Sequence, residues 1–334
     1  MNRPSPRTSQ IGVTLIELMI SLTLGMVIVI AVTNVYLSNK QTFRSQEALA
    51  QIQQNARIGF ELLSHDIREA GFNPCGVPPI QVKNGIVSPS TYWWANWAAG
   101  TIQGFNEDMN TGPVANGTAV SARVSTTDAI ILRGTIPACS GQDLVITSHD
   151  NSKFTLASAP SCIAAGDVLL ACDPKEGAIF QVTSKDNGAQ TITHSTGGVT
   201  PGNTSATITH TFEGGGIVSK LSSVFWYIGN NDRGGRSLFR VQTGYVTTPT
   251  AKVADDIQEI AEGITDMQIV YLLKNGTALE DAYTAATTTT NWSLPVAVRI
   301  TLTANSSDKA STNQTALERK FIHVISLRNR EVVQ

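Results

Sequence analysis

Two hydrophobic rhythms divide the chain. From Val13 to Leu37 apolar residues run almost unbroken, and Glu17 is the one charge among them. From Leu49 onward the spacing changes. Leu49, Ile52, Ala56, Phe60, Leu63 and Ile67 recur at steps of three and four, which places them on one helix face. The residues between them are polar. Lys40, Arg44, Arg57 and Arg68 are matched by Glu47, Glu61, Asp66 and Glu69, a self-balanced, solvated face; Arg57 and Arg68 are also candidates to bind a head domain. Gly71, followed by Phe72, Asn73 and Pro74, is a stop signal. The pattern predicts one continuous helix over 13–70, about 85 Å long at 1.5 Å per residue. Gly25 inside it marks a bend, a close helix approach or a tolerated glycine.

Beyond residue 75 the rhythm is that of strands. Short runs rich in Val, Ile, Leu, Phe and Thr alternate with Gly, Asn, Asp and Ser. Strands are predicted at 128–134, 143–148, 167–172, 178–184, 190–194, 223–229, 237–242, 267–273, 294–303 and 319–328. VADDIQEIAEGI (253–264) reads as a short helix ending at Gly263. Segments 283–291 and 304–316 read as exposed loops. Region 77–120, with Tyr92, Trp93, Trp94 and Trp97, reads either as a lid over the core or as a contact surface. No internal repeat is present. The expected architecture is α+β: a long N-terminal helix, half transmembrane (13–37) and half amphipathic stem (38–71), packed on an antiparallel β head (72–334) whose sheet covers the stripe of 49–67.

The first apolar run is long enough for a bilayer, which needs about 20 residues. Arg3 and Arg7 precede it, so the leader stays cytoplasmic and the rest is exported. A cleaved secretory signal would need a shorter apolar region ending at a small-residue site. Four cysteines, Cys75, Cys139, Cys162 and Cys172, all lie in the exported part and suggest two disulfides. Proximity in sequence favours Cys162 with Cys172, leaving Cys75 with Cys139; buried free thiols are the alternative.

Charge adds little. Twenty-four basic residues face 26 acidic ones without clustering, so no nucleic-acid footprint exists. The histidines, His65, His149, His194, His210 and His323, fall in no metal-binding spacing, and no GxSxG elbow is present. The glycines at 214–216 and 234–235 read as turns. Asn230, Asn231 and Asp232 lack the ordered oxygen series of a calcium loop. No catalytic residue, cofactor or metal is expected.

GVTLIELMISL, placed after a short basic leader, resembles the class III signal of type IV pilins and pseudopilins. The resemblance implies that a prepilin peptidase cuts between Gly12 and Val13, removes residues 1–12 and methylates the new amine of Val13. Phe is usual after the cut; here it is Val13. Glu17 then occupies the fifth mature position. A charge inside a membrane segment costs about 2.5–3.5 kcal/mol, and an unpaired buried charge is worse than a paired one. The expected account is that Glu17 pairs with the α-amine of a neighbouring subunit in the helical bundle. NARIGFELLSHDIREAGFNPCG, DVLLAC before AIFQV, EGITDMQIVY and a terminal VISLRNR resemble, in order, the PilW family of minor pilins.

What the PilW likeness implies is a non-enzymatic subunit, single-pass in the inner membrane with its head in the periplasm. It would prime pilus assembly with other minor pilins and enter the pilus at its tip. Its partners would be those minor pilins, the major pilin, the prepilin peptidase, the inner-membrane assembly platform and a tip adhesin. A minor pseudopilin of a type II secretion system is the alternative in the same class. An exported, membrane-anchored binding module is the alternative in another.

Overall fold

A computed structural model describes residues 12–76, 81–107, 109, 112–139, 141–197, 199–212, 215–243, 255–275, 278–280, 282–289, 291–306 and 315–330. Leader residues 1–11 and most of the 304–316 loop therefore lie outside the described residues. Helix α1 runs unbroken over Leu15–Glu69, through Gly25, as the two merged rhythms predict. Thr14 starts it. Its backbone is extended and its hydroxyl accepts from the Glu17 N–H, so Thr14-x-x-Glu17 has the spacing of a capping box. Gly71 stops it. Its φ of 78° is one that L side chains avoid. The chain then leaves along a strand: the Gly71 N–H donates to the Arg133 carbonyl at 2.8 Å, and the Thr135 N–H to the Phe72 carbonyl at 3.1 Å.

The head holds two sheets. The first contains β1 (Gln81–Asn84), β2 (Ile102–Phe105), β3 (Ala129–Pro137), β4 (Leu144–Asp150), β5 (Lys153–Leu156), β6 (Val168–Cys172), β7 (Glu176–Gln181), β8 (Ser184–Asp186), β9 (Thr191–Thr193), β10 (Ile217–Asn230), β11 (Arg236–Thr243) and β12 (Asp255–Glu262). The second contains β13 (Ile264–Asn275), β14 (Ala278–Leu279), β15 (Thr284–Ala285), β16 (Pro295–Asn305) and β17 (Glu318–Ser326), with β13, β16 and β17 consecutive. Pairing is antiparallel except between β1 and β7. Strand β10 joins two regions. Its start pairs with β6 and β4, and its end with β3 and β11. Thus β2, β3, β10, β11 and β12 form a platform under the helix, while β4 to β9 form an outer lobe.

One core lies between helix, platform and second sheet. Ile52, Ala56, Phe60, Leu63 and Ile67 meet Leu132, Trp226 and Leu238 from the platform, and Ile300, Leu302 and Ile325 from the second sheet. Two sheets, not one, cover the stripe. Burying each large apolar side chain contributes about 1.5–3 kcal/mol. Gly59 lets the backbones approach: a Cβ there would sit 3.0 Å from Leu238 Cδ2. A second core, around Phe154, Phe180, Phe212 and Ile192, fills the outer lobe.

Three expectations are corrected. Residues 255–262 are strand, not helix. Ile257, Ile260 and Ala261 have helical spacing, but a bulge opposite Leu238 and Phe239 inserts one residue into β12. The extra residue shifts the apolar side chains between faces and imitates a helix period. Segment 283–291 is not wholly exposed, because Thr284 and Ala285 pair with β13 and Ala286 is buried.

The disulfides are Cys75–Cys172 and Cys139–Cys162, with Cα separations of 5.7 and 5.4 Å. Nearness in sequence misled, because Cys162 precedes a loop that carries Cys172 along β6 to the exit of the helix. Cys162 instead lies beside the end of β3. Within region 77–120 the segment 86–100 is a lid, while β1 and β2 join the first sheet. Trp94 is buried among Ile86, Leu170 and the Cys75–Cys172 bridge. Buried Arg133 holds the lid, donating to the Trp93 carbonyl, the Gly100 carbonyl and Gln103 Oε1. With no carboxylate beside it, burial pushes the Arg133 pKa down to about 10.

Candidate functional site: the bare helix and its anchorage

The two halves of α1 have opposite surroundings. Helix α1 is long and apolar enough to cross a membrane, and none of its most apolar window is buried among the described residues. Leu15 is 78% exposed, Leu22 68% and Ile28 62%. Polar side chains in this half turn inward on the helix itself: Ser21, Thr23 and Thr33 donate to the carbonyls of Glu17, Ile20 and Val29. Such back-bonding gives these three hydroxyl hydrogens a partner in an apolar medium. Gly12, Val13 and Glu17 are exposed at the start of this half, with Glu17 in the first turn, where a carboxylate also meets the positive end of the helix dipole.

The second half is fastened at four levels. Near its middle the Asn55 side-chain amide donates to the Glu262 carbonyl at the end of β12, 2.9 Å away. One turn on, Phe60 stacks on His323 of β17 with centroids 4.1 Å apart. Next, the Asp66 carboxylate accepts from Trp226 Nε1 at 2.9 Å and from Arg240 Nε at 2.8 Å. Arg240 also donates to Gln242 and lies over the Trp226 ring. At the end, the Asn329 amide spans the carbonyls of Arg68, Glu69 and Ala70, three groups that the helix cannot satisfy internally. A cavity of about 210 Å³ opens beside Asp66, walled by His65, Glu69, Thr135 and Gln242.

Sequence reasoning placed Asp66 on a solvated face, and the structure corrects that. Arg57 pairs with Glu61 in solvent, one turn along the same helix, and not with the head. The missed signal was position. Asp66 precedes Ile67 at the rim of the stripe, so it faces the platform.

Elsewhere the fold assembles polar groups that spacing did not announce. His149 and His194 meet inside the outer lobe, and His210 pairs with Asp173 at 2.6 Å. Among the described residues, no group of three or more His, Cys, Asp or Glu is placed to hold a metal ion. Asn231 closes the β10–β11 hairpin, accepting from the N–H of Arg233 and Gly235 and donating to Ser237. Its neighbour Asp232 pairs with Arg233. These three residues shape a turn.

The comparison with known families meets this geometry. Residues 225–325 match the family model for PilW, the type IV pilus-assembly protein W. Among curated proteins none matches the chain. The matched span carries Trp226, Arg240, Glu262 and His323 from the head's side of the anchorage, and Asn329 lies just beyond it.

Proposed function

We propose that the chain takes part in type IV pilus assembly as a minor pilin of the PilW family, a reading supported by the match of residues 225–325. In this reading Val13–Leu37 crosses the inner membrane and the head stands in the periplasm. A prepilin peptidase cuts after Gly12, and Val13 becomes the methylated N-terminus. Glu17 pairs with the α-amine of a neighbouring subunit once the helix enters a bundle of others. The head supplies lateral contacts to other minor pilins and performs no chemistry. Priming of assembly on the inner-membrane platform, and a final place at the pilus tip beneath an adhesin, complete the proposal.

The observation that carries it is the contrast within α1. A helix that is bare and apolar over one half, yet bolted to the head by Asp66, Phe60 and Asn55 over the other, transmits force along its axis. Pulling on the first half moves the head as one body. A membrane anchor alone would need no such rigid joint.

The test is a clean deletion in the native host, with surface pili counted by electron microscopy and secretion of a type II substrate assayed alongside. The expected result is few or no pili, normal secretion, and recovery with the intact gene. Normal pili with failed secretion would move the chain to the pseudopilins. Mass analysis of the N-terminal peptide is the companion measurement. A chain beginning at Val13 is expected; a retained Met1, or a cut near residue 38, removes both the pilin and the pseudopilin reading.

A further inference from the structure

Outside the helix joint, the outer lobe closes over a pair of buried histidines. His149, on β4, and His194, just past β9, are 5% and 1% exposed. Their Nε2 atoms face each other at 3.4 Å. The tautomers follow from the neighbours. His149 Nδ1 lies 2.9 Å from the His210 carbonyl, which can only accept, so Nδ1 carries the hydrogen. His149 Nε2 is then a bare lone pair, and His194 Nε2 must carry the hydrogen that it donates. The contact has room for one proton.

The surroundings are aromatic. His149 stacks on Phe154 at 4.1 Å, and Phe180 and Phe212 lie within 6 Å of the two rings. The charged or titratable groups that act on the pair are few: Asp150 next to His149, itself near Lys153, and His210, which is held by Asp173. No carboxylate bonds to either buried ring.

The pair also holds something in place. Residues 203–212 cross the lobe as a strap without strand structure. Asn203 secures one end through Gln181, the Ile208 N–H donates to the Asn151 carbonyl, and His149 grips the His210 carbonyl. Beneath the strap lies a cavity of about 140 Å³, bounded by His194, Phe180, Asn84 and Thr207.

We propose that His149 and His194 form an acid-released latch that holds the 203–212 strap over the aromatic core of the outer lobe. A proton taken from water onto His149 Nε2 would leave two N–H groups face to face across the 3.4 Å contact. One ring must then turn away, and for His194 the adjacent cavity is the available space. His194 turned into that cavity enters the space walled by Thr207 and Ile208, and the strap is lifted from its seat.

The direction of the titration agrees. Burial, and after it the nearness of His149, depress His194 to about 4, and burial lowers His149 as well. A buried histidine that resists protonation stabilises the fold fully above its ordinary value of 6.5, and the contribution is lost as pH falls toward 4.

Hydrogen exchange read by mass spectrometry on the full chain in detergent micelles tests the latch. Peptides covering 144–156 and 191–212 are compared at pH 7 and pH 4.5, after correction for intrinsic exchange. Their protection should fall at least about tenfold at the lower pH, while peptides from the β10–β11 hairpin hold theirs. The double variant His149→Gln, His194→Gln should lose the step. Equal protection of the strap at both pH values in the unaltered protein overturns the latch, whether or not the variant folds. So does an undiminished step in a double variant that matches the unaltered protein at pH 7.

Discussion

The two halves of α1 share one backbone and one unbroken hydrogen-bond ladder, yet differ in what completes them. In the first half Leu15, Leu22 and Ile28 stay more than 60% exposed; in the second Leu63 and Ile67 are wholly buried. The difference is written in their periods. A continuous apolar run cannot be covered by one sheet on one side, so it calls for lipid or other helices all round. A stripe repeating at three and four is satisfied by a single core, and here the head provides it. Function is therefore expected to reside where the chain leaves itself incomplete, and stability where it does not.

Substitutions in the two halves break this comparison in different assays. The largest effect belongs to Glu17→Val. On the proposed pairing, the variant should still insert and be cleaved, yet yield at least about tenfold fewer surface pili, because a neighbouring amine would lose its counter-charge. Normal pilus numbers would remove the pairing account.

Leu63→Ala should leave insertion intact and destabilise the head by about 2–5 kcal/mol in thermal unfolding. Ile28→Ala, the matched change in the bare half, should shift the same transition by no more than about 0.5 kcal/mol. Equal losses at the two positions would mean that the halves are not independent. Asp66→Ala should cost about 2–4 kcal/mol, since it strands the Trp226 indole and the Arg240 guanidinium. Asp66→Asn, which keeps one acceptor for the indole, should cost less.

A smaller effect sharpens the picture inside the head. Asp128 is buried at the start of β3, where one carboxylate oxygen accepts from the Ile269 N–H and the other has no partner. Burial is the largest influence and raises its pKa to about 6, against the opposing pull of the Ile269 N–H and Arg123. A carboxyl raised in the folded state favours folding most below its unfolded value of 3.8, and that advantage is lost as pH rises through 6. Asp128→Asn should therefore be more stable than the parent at pH 7, by about 1–3 kcal/mol, and should lack the downward slope between pH 4 and 6. A parent slope that survives in Asp128→Asn would place its origin elsewhere. The latch in the outer lobe has the opposite sign, so exchange measurements that resolve the two regions separate them.

Local chemistry determined the helix from the amino-acid sequence alone. Its length follows from two merged apolar periods, its start is near Thr14, and its stop is at Gly71. It also determined most of the longer strands of the head, though not β1, β2, β5 or β12, because alternation between turn residues and β-branched runs is a short-range signal. The motif around Glu17 is local too, and it carries the resemblance to type IV pilins and pseudopilins as a class.

What only the tertiary structure decided are the features made by residues far apart in the chain. Strand β12 looks helical until the bulge against β11 is seen. The disulfides pair by where β6 and β3 bring their ends, not by the shorter loop. Asp66 reads as one of several stem charges until Trp226 and Arg240 arrive from strands more than 150 residues away. His149 and His194 carry no motif at all. Periodicity reports which face of an element is buried, but the partner on that face is chosen by topology, and no local pattern encodes topology.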